Sequence, residues 1–264
     1  MSGPKPVHEP GVDGAPDLWA SLRRSTQARI GLGRVGDGQP TGSVLEFKAA
    51  HALARDAVHQ PLDVSVLSDQ VAAIGLGKPA VVTSRAQSRS EYLRRPDLGR
   101  FPDDLAAVPR SAAELGFVLC DGLSPTALMQ HGAPLLEALV GALSERYTIA
   151  APVIATEARV ALGDHIGAAM GVQTVLVLVG ERPGLSVPAS VGLYLTHLPR
   201  PGRTDADRNC VSNVHPPEGL GYAAAARVIA DLVAGARRLG ASGVNLKDQS
   251  RPNQRAAILV EEEN

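Results

Sequence analysis

Hydrophobic and polar positions follow two rhythms along the chain, and the change falls near residue 111. Before it, apolar residues recur three or four apart, as on helices. Asp17 is placed to cap a helix over 18–29, with Leu18, Leu22 and Ile30 along one side. Leu45, Ala49, Ala52 and Leu53 mark the core side of a second helix over 43–58, and 64–74 reads as a third. Ala80-Val-Val-Thr83 reads as a short buried strand, and 85–95 as a helix or turn ended by Pro96. After residue 111, short all-apolar runs alternate with helical stretches. Strands are expected at 116–120, 149–154, 174–179 and 191–196. Helices are expected from Pro125 to 144 with Ser124 as cap, over 156–170, and over 222–239. The run Thr174 to Val179 is apolar almost throughout, as suits a strand covered on both faces. Strand, helix, strand, helix, strand predicts an α/β fold with a doubly wound, mostly parallel sheet.

This rhythm divides the chain into four parts. Residues 1–16, rich in Pro, Gly and Asp, read as a disordered N-terminus. Residues 17–110 form a mainly helical region, 111–248 the α/β domain, and 249–264 a polar C-terminal tail. In an open parallel sheet the ligand crevice lies beyond the carboxyl ends of the strands. That rule selects Asp121-Gly-Leu-Ser124 and Gly180-Glu-Arg-Pro-Gly184, and draws in a nearby polar loop at 208–213.

Composition narrows the classes. Aromatics are 3% of the 264 residues, so the core must be built from Ala, Val, Leu and Ile, and stacking platforms for bases are not available. A net charge of −1 gives no general attraction to nucleic acid or to membrane surfaces. No apolar run is long enough to span a bilayer, and the N-terminus has no secretory h-region. Two cysteines, Cys120 and Cys210, are too few for a disulfide framework or a structural zinc site, and a reduced cytosol follows.

Candidate chemistry is sparse. No nucleophile and base pair is recognisable, and no residue is assigned a catalytic or metal-binding role. The loop Gly31 to Gly42 is glycine-rich but lacks the Gly-Lys-Ser/Thr ending of a phosphate loop. Asp164 and His165 are adjacent, so they miss the Asp-x-His-x-x-Gly cobalamin pattern and are expected on the polar side of a helix. Glu181, straight after an apolar strand, stands at the crevice mouth. It can accept hydrogen bonds from a ligand, or pair with Arg182, or cap a helix. Cys210 reads as a small buried hydrophobe or a ligand contact. The segment 84–100 holds five arginines, at 85, 89, 94, 95 and 100, against Glu91 and Asp97. Such local charge suits a solvated face, a subunit contact or an anion site.

Seven stretches in order resemble the small subunit of ethanolamine ammonia-lyase. They are Leu45 to His59, Ser84 to Arg100, Asp121 to Ser124, Arg159 to Asp164, Val179 to Leu185, Arg208 to Asn213 and Ala241 to Leu246. The resemblance runs from about residue 17 to 248. It implies a Rossmann-like domain that contacts adenosylcobalamin. It implies a deamination of ethanolamine to acetaldehyde and ammonia by a radical route, with a large subunit carrying the substrate site. Val160, Glu181 and Cys210 match the family's cobalamin contacts. The resemblance further implies a multimer of heterodimers, housed in the cytoplasm or within a bacterial microcompartment. Two other readings stand beside it. One is a free-standing nucleotide- or sugar-phosphate-binding enzyme using Asp121 and Glu181, and the other is a purely structural interaction protein.

Overall fold

The structure, a computed structural model, describes residues 19–248. The expectations for 1–16, for the Asp17 cap, for Leu18 and for the 249–264 tail lie outside these residues. The chain divides into two compact units, one ending at Leu53 and one beginning at Ala54.

In the first unit, helix α1 is a single turn, Ala20–Arg23. The expected helix over 18–29 stops there for a local reason. Ser25 Oγ donates to Leu22 O at 2.8 Å, and Thr26 Oγ1 accepts from Ala28 N at 3.0 Å. These side chains compete with the backbone ladder. The glycine-rich loop follows, with Gly31, Gly33 and Gly36 all at positive φ. Helix α2 spans Thr41–His59, so its last turns belong to the second unit. Leu45, Ala49, Ala52 and Leu53 on it are exposed rather than packed as its spacing suggests, and Ala57 is its buried residue.

The second unit is built on a six-stranded sheet. Its strands are β1 (Ala80–Thr83), β2 (Leu115–Cys120), β3 (Val153–Thr156), β4 (Thr174–Gly180), β5 (Val191–His197) and β6 (Asn209–Val214). Their order is β1-β3-β2-β4-β5-β6, with the first three pairings parallel and the last two antiparallel, so that β5 alone runs against the others. The helices are α3 (Val64–Ala72), α4 (Arg89–Arg94), α5 (Pro125–Leu143), α6 (Leu162–Met170) and α7 (Tyr222–Leu239).

Side-chain alternation distributes the strands between two cores. Leu115, Phe117, Leu119, Leu176 and Leu178 pack with the apolar sides of α3, α5 and α7. Val118, Cys120, Val175, Val177 and Val179 pack on the other face with Leu162, Ile166 and Met170 of α6. Both faces are therefore covered, which explains why β2 and β4 are uniformly apolar. Helix α5 starts where its sequence says. Ser124 Oγ accepts from Ala127 N at 3.2 Å, and Pro125 fills the first turn.

Four elements and one buried residue depart from the sequence pattern. β1 is an edge strand with Val82 buried and Val81 exposed, not a buried one. The helix expected from residue 156 begins only at Leu162, because Glu157 adopts φ 51° and turns the chain after β3. The expected loop at 208–213 is β6, an edge strand whose inward residues are Val211 and Val214. Asp164 is buried rather than on a polar face, because Arg208 reaches it with Nη2. β5 runs antiparallel to β4, since the 181–190 connection has no helix to cross the sheet.

Candidate functional site

The carboxyl ends of β2, β3 and β4 meet above the sheet, where three turns must coexist. Gly122, at φ 56°, ends β2, and Gly180 ends β4 directly against it. A Cβ on Gly180 would lie 2.5 Å from Asp121 O, so only glycine permits the two turns to close. Leu123 N donates to Gly180 O at 2.9 Å across the join.

Asp121 fixes the third turn. Its Oδ2 accepts from Glu157 N at 2.8 Å and its Oδ1 from Ala158 N at 2.9 Å. Arg89 closes the group, donating from Nη1 to Gly122 O at 2.8 Å, with Glu157 Oε2 at 3.3 Å and Asp121 Oδ2 at 3.4 Å. Its Nε donates to Val58 O at 2.8 Å, and its guanidinium lies over the Tyr92 ring, 5.1 Å from the centroid. Burial pushes the Asp121 carboxyl up to about 7, opposed by the Ala158 N–H and by Arg89. Burial likewise raises the Tyr92 hydroxyl, with the Asp121 charge adding to it. With 1% of its surface exposed, Asp121 braces the turns and does not face a ligand.

Above these turns opens a cavity of 760 Å³. Its walls come from Pro96, Asp97 and Arg100, from Gly122 and Leu123, from the turn Arg159 to Ala161, from Val179 to Arg182, and from Tyr194 and Asp205. Val160 is in the wall on the turn that Asp121 holds. Glu181 is in the wall at the end of β4. Its Oε2 accepts from Ser190 Oγ at 2.6 Å and from Asn213 N at 3.1 Å. Among the described residues it makes no ion pair with Arg182 and caps no helix. Oε1 accepts no hydrogen bond among those residues and lies 3.0 Å from where a Gly192 Cβ would stand, so glycine there leaves this oxygen clear. Cys210 is beside the cavity rather than in its wall. It pairs across the sheet with Tyr194, and its side chain is exposed. Packing around the sulfur, then the Glu181 charge, raise the Cys210 thiol above its ordinary value, with Tyr194 opposing. A raised thiol is a poor nucleophile.

The structure thus brings Val160 and Glu181 to one cavity, with Cys210 one residue pair away. Arg89, one of the five arginines expected to form a solvated face, a subunit contact or an anion site, instead braces the turns, and Arg159 and Tyr194, not singled out by sequence, complete the site. The arginines lay within quoted segments, but Tyr194 gave no signal in its apolar strand. Among the described residues no group of three His, Cys, Asp or Glu could hold a metal ion. No helix among them is long and apolar enough to cross a membrane.

Comparison with known proteins bears on this geometry directly. The family model for the ethanolamine ammonia-lyase light chain (EutC) matches residues 16–247. The chain belongs to the ethanolamine ammonia-lyase small-subunit family. A small subunit of this lyase from Rhodococcus erythropolis is 70% identical over 235 residues, covering 89% of this chain and 91% of that protein. Small subunits from Rhodopseudomonas palustris and Ralstonia nicotianae are 50% and 46% identical, each over 87% of this chain and 89% and 88% of theirs. The stretches that carry the resemblance build the turns and the cavity wall of this lyase subunit, at 84–100, 121–124, 159–164 and 179–185.

Proposed function

We propose that this chain is the cofactor-holding small subunit of an adenosylcobalamin-dependent ethanolamine ammonia-lyase, acting with a large subunit that carries the substrate site. The observation that carries the reading is the cavity above β2, β3 and β4 with Val160 and Glu181 in its wall. When bound, the cofactor supplies homolysis of its cobalt–carbon bond and so the radical chemistry of the deamination.

The residues present fit such a group. Corrin rims carry amide donors, and Glu181 Oε1 is a clear acceptor held in place through its partner oxygen by Ser190 and Asn213. Val160 offers an apolar contact and Cys210 a small polarisable one at the edge. Cavities of roughly 300–1,000 Å³ enclose ligands of drug size, and cobalamin is larger, so this cavity covers one part of it. The remainder would lie against a second surface, which suits a cofactor shared between two subunits. We assign residues 17–110 to subunit contact, and read the sheet as a Rossmann-like scaffold for the cavity. A multimer of heterodimers belongs to the same reading.

The rival reading, a free-standing nucleotide- or sugar-phosphate-binding enzyme using Asp121 and Glu181, has no support, because Asp121 is enclosed by backbone donors and Arg89.

The test is acetaldehyde release from ethanolamine with adenosylcobalamin, for this chain with and without its co-expressed large subunit. The reading expects turnover only from the pair; turnover by the chain alone would overturn it. Glu181→Ala is expected to weaken cofactor binding to the assembled pair by about 1–3 kcal/mol, the scale for losing a charged hydrogen-bond partner. Equilibrium dialysis measures this, and an unchanged constant would remove Glu181 from the site.

A further inference from the structure

The cavity wall holds more positive charge than it neutralises. Six charged side chains line it: Arg100, Arg159, Arg182, Asp97, Glu181 and Asp205. Two of the three carboxylates are paired with arginines outside the wall, and the third keeps one oxygen clear. Asp97 pairs with Arg95 at 2.7 Å, Asp205 with Arg208 at 2.8 Å, and Glu181 accepts from Ser190 and Asn213. Among the described residues, the guanidinium groups of Arg100, Arg159 and Arg182 donate no hydrogen bond and make no ion pair. Three guanidinium groups therefore share one cavity with Glu181 as the single lining carboxylate not paired to an arginine.

The backbone segments that carry two of them are also joined to each other. Arg159 N donates to Gly99 O at 2.8 Å, which joins the turn carrying Arg159 to the segment carrying Arg100. Gly99 is buried, and a Cβ there would lie 2.5 Å from the Tyr92 ring and 2.8 Å from Glu157 O. The join is packed so closely that only glycine fits. Tyr92 is in turn held by its hydroxyl, which donates to Ala158 O at 3.2 Å. The backbone is thus preorganised to present Arg100 and Arg159 to the same space, and preorganised donors lose less entropy on binding. Arginine is the side chain whose planar fork matches phosphate oxygens in pairs.

We infer that Arg100 and Arg159, assisted by Arg182, form a phosphate-binding subsite that holds the phosphodiester of the cobalamin nucleotide loop. This rests on the cofactor reading above. The phosphodiester is the one anionic group on that cofactor's periphery, and Glu181 would take a neutral amide of the same molecule. The cavity then sorts the ligand by charge, with amide toward the end of β4 and phosphate toward the 96–100 and 159–161 segments.

The test compares cyanocobalamin with dicyanocobinamide, which lacks the phosphodiester and its nucleotide, on the assembled complex with the large subunit. Binding is read by equilibrium dialysis and corrin absorbance. The double variant Arg100→Gln/Arg159→Gln is expected to bind cyanocobalamin about tenfold to a hundredfold more weakly, the loss of a charged hydrogen bond. Dicyanocobinamide should bind it as it binds the parent complex. Equal losses for both corrinoids, or no loss for either, would overturn the subsite. Should the double variant fail to assemble, Arg182→Gln at the exposed rim repeats the comparison with a smaller but equally selective loss, and an unselective one counts against the subsite. A parent complex that binds neither corrinoid would remove the cofactor reading itself. In that case inorganic pyrophosphate becomes the probe: binding that the double variant abolishes upholds the anion subsite, and no binding overturns it.

Discussion

Two buried arginines brace this protein, and they do so differently. Arg89 sits under the cavity and Arg208 at the start of β6. Arg208 reaches Asp164 with Nη2 and Asp205 with Nη1 at 2.8 Å. Asp164 and the Arg208 side chain are 2% and 1% exposed, so this pair has almost no water to fall back on. Asp164 Oδ1, Thr196 Oγ1 and Arg208 Nε are buried without a hydrogen-bond partner among the described residues, against Arg89 Nη2 alone at the other brace. Arg89 meets two carboxylates as well, but Asp121 keeps two backbone N–H donors of its own. At one brace the buried carboxylate, Asp164, depends on a single ion pair. At the other, Asp121 is also held by backbone groups that shape the cavity. A buried pair costs desolvation at both ends, and removing one partner strands the other.

The largest effect should come from breaking the brace at Asp164. Arg208→Leu leaves Asp164 with no donor, and the expected loss is about 3–5 kcal/mol of stability. Urea unfolding of the purified chain measures it. Arg89→Leu is expected to cost less, about 1–3 kcal/mol, because Asp121 retains both backbone hydrogen bonds. If the two variants lose equal stability, the contrast between the braces is wrong. Arg89→Leu should also lower cofactor affinity in the assembled complex, since it loosens the turn that carries Val160, whereas Arg208→Leu should affect folding first.

A pH series sharpens the same contrast. Asp121 holds its proton up to about 7 in the folded protein against an ordinary 3.8. Between those values the folded chain keeps a proton that the unfolded chain has released. The contribution of this group to stability is therefore fully present below 3.8 and is lost as the pH rises to about 7. Asp121→Asn cannot titrate, so its stability should fall less steeply over that window. The difference in slope should reach up to about 1.4 kcal/mol per pH unit. Parallel slopes for the two proteins would show that Asp121 stays ionised throughout. The smallest effect is expected at Ser124, which caps α5 and also donates to Pro188 O at 3.2 Å. Ser124→Ala should cost about 1 kcal/mol, seen as a modest drop in Tm.

Local pattern was enough for some elements. Helix α7 spans the residues its periodicity marks, Tyr222–Leu239, and α5 begins at its Ser124-Pro125 signal. The runs that became β2 and β4 were legible because burial on both faces leaves no polar position to obscure them. β6 was not legible, since Asn209, Cys210, Ser212 and Asn213 look like a loop and only Val211 and Val214 turn inward. The turn after β3 was hidden as well, because the residues 157–161 carry ordinary helix formers. Their helix is broken by the positive φ of Glu157, in a turn that Asp121 holds by accepting from the N–H groups of Glu157 and Ala158, 36 and 37 positions away.

The sequence alone determined the apolar strands, the long helices and the family, because each depends on residues close in the chain or on ordered motifs that need no coordinates. The tertiary structure decided which polar residues do what. Asp121, selected by sequence as a ligand contact, became an internal brace, and Asp164, expected in solvent, became half of a buried pair. Glu181 kept one clear oxygen only because Ser190 and Asn213 occupy the other. Charge and hydrogen-bond satisfaction depend on neighbours distant in sequence, so whether a carboxylate or guanidinium is engaged or left open is settled only by packing.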